Sequence, residues 1–178
     1  TVHPAGAGLP LASNLNFSPG RTVANAVVSG TGSGRITLYN AAGSSHVVVD
    51  VMGWFETGPG GARFHSTAPS RVRDTRTDGT GAVGPTDPIA VAVSGSGLPV
   101  PADATAVVMN LTVTEPTDMA FITAWPAGTP QPLASVQNTH PGMTRANQVT
   151  VRTGAGGIGL FNSTGTVHLI TDITGYYR

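Results

Sequence analysis

Residues 1–56 can be laid on residues 123–178 at a constant offset of 122, without a gap, and 25 of the 56 paired positions are identical. Pro10-Leu11-Ala12-Ser13 returns as Pro132-Leu133-Ala134-Ser135, and Leu38-Tyr39-Asn40 as Leu160-Phe161-Asn162. The block His46 to Phe55 (HVVVDVMGWF) returns as His168 to Tyr177 (HLITDITGYY). Self-similarity on this scale means one structural module used more than once. The period fits 178 residues only about one and a half times. The chain therefore divides into 1–58, the second half of a module, and 59–178, a complete module whose own second half, 123–178, repeats 1–56. Thr57–Gly61 (TGPGG) is the natural linker between them.

The punctuation of the chain decides its fold class. It holds 24 glycines and 14 prolines in 178 residues, close to twice the usual share. The longest stretch free of both, Ala102–Glu115, is rich in Val and Thr. That leaves little room for helices, which need roughly 10–12 uninterrupted residues of good formers. Period-two runs fill the gaps instead. Val107, Met109, Leu111 and Val113 share one face of 105–114. Ile89, Val91 and Val93 alternate with Ala, and Ile36/Leu38 are mirrored by Ile158/Leu160. Val47, Val49 and Val51 are expected to form an inward face in the first copy, as Leu169, Thr171 and Ile173 do in the second. Ser18-Pro19-Gly20 and His140-Pro141-Gly142 read as tight turns. The expectation is an all-β protein of antiparallel β-sandwich modules, with both copies sharing one backbone.

Composition excludes several functions. The net charge is zero and only 10% of residues are charged, so the basic excess of a nucleic-acid binder is missing. All nine basic residues are Arg, and there is no Cys. Disulfides, Cys-ligated metals and thiol nucleophiles are thereby excluded. No run of 18 apolar residues provides a membrane-spanning helix, and no signal peptide is visible. Beginning at Thr1 without Met, the chain reads as processed or as a fragment. A surface of Ser, Thr, Asn and Gly points to an extracellular or cell-surface location.

The chemistry-bearing residues are few. His46 and Asp50, like His168 and Asp172, lie four apart on a strand, on one face and about 13 Å apart. One metal ion cannot bridge that distance, so each is expected to satisfy backbone or pair with an Arg. Arg71, Arg73, Asp74 and Arg76 form the one charge cluster. It suits either an anionic sugar or phosphate, or an internal ion-pair network, and the embedded Asp favours the network. Asp74, Asp78 and Asp87 around a Gly-rich loop are a weak Ca²⁺ pattern that does not match an EF-hand. Asn40 and Asn162 suit turns. Tyr39, Trp54 and Trp125 are candidates for stacking on a sugar ring. No nucleophile elbow and no catalytic carboxylate pair is present, so neither an enzyme nor a cofactor is expected.

Several segments carry a resemblance: Arg71–Arg76, Leu98-Pro99-Val100-Pro101-Ala102 ahead of 106–114, and Pro126-Ala127-Gly128. Ser13-Asn14-Leu15-Asn16-Phe17, Pro19-Gly20, Val23-Ala24-Asn25, Leu38-Tyr39-Asn40 and His46–Phe55 belong to the same pattern. Together they resemble the tandem β-modules of secreted, cell-wall-associated surface proteins of actinobacteria. The resemblance covers essentially the whole chain. It implies secretion and an accessory, non-catalytic role beside surface proteins and wall hydrolases. The second copy departs from the pattern, with Val136-Gln137 in place of Asn14-Leu15 and Arg145 in place of Val23.

The functional expectation is a self-assembling structural module, the subunit of a filament or surface layer; the alternative is a carbohydrate-binding module for cell-wall glycan. Assembly follows from the cut repeat. A half-sandwich without its first half exposes apolar residues and open strand edges. Three resolutions follow: the chain extends further toward its N-terminus, residues 62–122 serve both flanking halves, or a neighbouring copy completes the sheet. The last of these, a homo-oligomer or head-to-tail polymer built by strand addition, is the expectation.

Overall fold

A computed structural model describes residues 1–178 and contains strands and no helices. The strands are β1 (Val2–Pro4), β2 (Ile36–Leu38), β3 (Phe64–Asp74), β4 (Ile89–Ala92), β5 (Ala106–Thr114), β6 (Ala120–Pro126), β7 (Gln137–Thr139), β8 (Thr144–Arg152), β9 (Gly157–Asn162) and β10 (His168–Tyr177). They form two four-stranded sheets, ordered β3-β10-β5-β8 and β4-β9-β6-β7, and a separate β1-β2 pair, with every strand pairing antiparallel. The all-β class expected from the turn-rich sequence is the class observed.

The two larger sheets close on a cluster of 19 buried residues. β5 shows why. Its β-branched, period-two sequence turns Val107, Met109, Leu111 and Val113 inward, each fully buried. Across the ladder Leu111 faces Thr171 of β10 and Asn147 of β8, and Met109 faces Ile173 and Val149. The opposing sheet contributes Val91, Ile122, Ile158 and Leu160. The strand stops at Glu115, whose φ of 55° precedes Pro116 and turns the chain away. Trp125 of β6 lies flat over Gly159 of β9, where a Cβ would stand 2.6 Å from the indole. Only glycine admits that contact.

The N-terminal copy is where expectation and structure part. Its local geometry follows the C-terminal copy at the same offset. β1–β2 pairs Val2 with Leu38 and Pro4 with Ile36, as β6–β9 pairs Ala124 with Leu160 and Pro126 with Ile158. The Gly32–Arg35 turn bonds reappear at Gly154–Gly157. Ser33 and Ala155, both non-glycine, take φ of 50° and 46°. Asn40 donates its amide to the Ala42 and Gly43 carbonyls, as Asn162 does to those of Thr164 and Gly165.

The long strands do not recur. Residues 46–55 form no strand, although their counterparts are β10. Val47, Val49 and Val51 are not an inward face; they are 61%, 51% and 81% exposed. The reason is partnership. β10 is an inner strand that needs β3 on one side and β5 on the other, and β8 pairs with β5. β3 and β5 both belong to residues 62–122 and both are taken by the C-terminal copy. Residues 62–122 therefore do not serve both flanking halves, and the two copies do not share a complete fold.

Candidate functional site

The charge cluster lies where β3 runs into the following turn. Asp74 is buried and accepts from the Arg76 guanidinium at 2.9 and 2.7 Å, from the Arg76 backbone N–H at 3.2 Å and from Arg71 Nη1 at 3.3 Å. The Arg76 guanidinium is the main cause holding the Asp74 carboxyl at about 2, well below the usual range, against the opposing effect of burial. Asp78 accepts from Arg73 Nη1 at 3.0 Å and from the Thr80 N–H at 2.9 Å. Burial pushes Asp78 upward, but its bonds from Thr80 and Arg73 outweigh that and set it at about 2. Arg73 also donates to the Ala90 carbonyl at 3.0 Å, tying one sheet to the other. The cluster is an internal network. Asp74 and Asp78 are occupied by Arg, and Asp87 by the Thr86 hydroxyl, so these three carboxylates do not converge on a cation.

The same network forms a seam with β10. Arg71 grips Asp172 with two parallel bonds, Nε to Oδ1 at 2.8 Å and Nη2 to Oδ2 at 3.1 Å. Thr75 Oγ1 and His168 Nδ1 are 3.0 Å apart, and Thr75 Oγ1 also accepts the Leu169 N–H at 3.0 Å. At the other end the Phe64 ring lies over Gly175, where a Cβ would stand 2.5 Å from it. His65 stacks on Tyr176 at 5.1 Å with planes 13° apart, and Phe64 meets Tyr177 at 5.4 Å. Asp172 and Gly175 are thus the residues of β10 that read β3, and His168 reads Thr75 at the turn that follows β3.

Their counterparts His46, Asp50 and Gly53 have nothing to read. No backbone group of residues 46–55 makes a main-chain hydrogen bond. One side-chain hydrogen bond reaches the segment, from Ser45 Oγ to the His46 carbonyl. A Cβ on Gly53 would meet no atom within 4 Å. Trp54 is 82% exposed, and Phe55 touches Tyr177 at 6.3 Å while remaining largely exposed. This open segment, with its unpaired backbone and two-sided apolar surface, is the most distinctive surface of the molecule. Alternation alone marked its valines as an inward face, whereas the missing first half, equally legible in the sequence, pointed to their exposure, and exposure is what is observed.

The aromatic candidates differ in their surroundings. Trp125 is buried and gives its indole N–H to the Thr129 carbonyl at 3.1 Å, which withdraws it from stacking on a sugar ring. Tyr39 is half-exposed, and its backbone pairs with Thr1. An open groove of about 560 Å³ between residues 20–22 and the β6–β7 side of the sandwich is lined by Arg21, Phe121, His140 and Phe161 among others. No group of three or more His, Cys, Asp or Glu side chains gathers to hold a metal, and no helix is long and apolar enough to cross a membrane. No family model matches the chain, and neither the curated proteins nor the solved structures provide a match.

Proposed function

We propose that the chain is a non-catalytic structural module of an extracellular or cell-surface assembly, and that it joins that assembly by strand pairing through residues 46–55. One observation carries the reading: a block that forms a buried inner strand in one copy lies open and unpaired in the other. Unpaired backbone beside exposed valines recruits β-structure. The neutral, Lys-free, Cys-free surface and the resemblance to wall-associated modules support the location. The closed sandwich 62–178 acts as the anchor, and the Arg–Asp network locks it.

The chain composition narrows the expected head-to-tail polymer. Each copy holds two second halves, 1–56 and 123–178, but one first half, which its own β10 already closes. Within residues 1–178 no first half is therefore free to pair with 46–55.

Two measurements test the function together: surface labelling of intact cells, and hydrogen exchange on the isolated chain. The expected result is a labelled surface, with residues 46–55 exchanging fast while 168–177 stay protected. Confinement to the cell interior, or equal protection of the two segments in a monomer, overturns it.

A further inference from the structure

Residues 46–55 keep more than an apolar face. They keep the residues that read β3. His46, Asp50 and Gly53 are identical to His168, Asp172 and Gly175. Trp54 and Phe55 stand where Tyr176 and Tyr177 receive His65 and Phe64. In the C-terminal copy each of these positions is explained by a contact with β3 or with Thr75 just beyond it. In the N-terminal copy none of them is. Asp50 has no ion-pair partner, and Gly53 faces open space at a φ that does not require glycine.

From this match we propose that residues 46–55 are a docking site for one kind of partner: the β3-type strand of an unclosed first half-module. That strand carries an aromatic residue, an Arg seven positions on and a Thr four further, as Phe64, Arg71 and Thr75 do. It would lie antiparallel, its guanidinium forked on Asp50, its hydroxyl against His46 and its aromatic ring over Gly53. The fork selects Arg over Lys, because two parallel N–H donors match one carboxylate. The ring selects glycine, because any Cβ at position 53 would occupy its place. β3 of a second copy is a poor source. It is already paired with its own β10 inside a closed sandwich.

The inference rests on the strand-pairing reading and is tested separately from it. The probe is a synthetic peptide of residues 63–78, added to the full 178-residue chain. Titration calorimetry and hydrogen exchange should show saturable binding that slows exchange at 46–55. Gly53→Val should abolish binding while leaving the thermal midpoint of the chain unchanged, since nothing surrounds Gly53 in the free protein. Asp50→Asn, or an Arg71→Ala peptide, should weaken binding by about 2- to 5-fold, the scale of an exposed ion pair. Failure of the peptide to protect 46–55, or binding indifferent to both Gly53→Val and Asp50→Asn, overturns the proposal. So does a dimer of the chain alone in which 46–55 is protected, because the occupant is then a second copy. Loss of surface labelling with peptide binding intact would sink the functional reading and leave this one standing.

Discussion

At the scale of single residues, two kinds of side chain hold the sandwich. Leu111 is fully buried between the sheets. Leu111→Ala should lower unfolding free energy by about 2–5 kcal/mol through lost contacts and the cavity left behind. Denaturant titration checks it, and a loss on the ~0.5 kcal/mol scale of a surface change would contradict the buried assignment. Asp74 acts through charge. Its folded carboxyl sits at about 2, below the unfolded value of about 3.9. Its contribution is therefore complete above roughly pH 4 and is lost as pH falls through the folded value, because the unfolded chain binds the proton first. Asp78, also at about 2, adds to the same window. Unfolding midpoints measured from pH 5 to pH 2 should drop steeply, and Asp74→Asn should flatten that slope while lowering stability at neutral pH.

At the scale of elements, the register of the β6–β9 pair depends on one absent side chain. Gly159→Ala should force the Trp125 indole off its Thr129 hydrogen bond, since the new Cβ would stand 2.6 Å from the ring. Overpacking of this kind costs about 1–3 kcal/mol. Tryptophan fluorescence and thermal melts read both effects, and an unshifted Trp125 signal would contradict the packing. Much at this scale was legible beforehand. The inward side of β5 follows from period two alone, and the turns at Ser18-Pro19-Gly20 and His140-Pro141-Gly142, each closed by a backbone bond and a left-handed glycine, follow from local sequence. Asn40 and Asn162 hold their turns as expected of Asn. What misled was Val47, Val49 and Val51. Alternation states which residues share a face, but not whether another strand arrives to cover it. Trp125, one of the candidates for stacking on a sugar, lies in the interior, where Gly159 offers a bed for the indole that an aromatic count does not reveal.

At the scale of the whole molecule, every strand of the two large sheets lies within 64–177, and every member of the core cluster within 83–173. β1 and β2 pair only with each other. A chain shortened to residues 62–178 should therefore melt at the same temperature as the full chain and be the more soluble of the two. Scanning calorimetry checks this, and a markedly lower midpoint would show that residues 1–61 brace the sandwich. The sequence by itself determined the all-β class, the turns, the internal likeness of 1–56 and 123–178, and the alternation along β5, because each rests on steric rules or hydrogen bonds spanning a few residues. Only the tertiary structure decided the fate of the two His-x-x-x-Asp blocks. Both have the sequence of an inner strand, but an inner strand is satisfied by two neighbours from elsewhere in the chain. Residues 62–122 supply one such pair, and the C-terminal copy holds it.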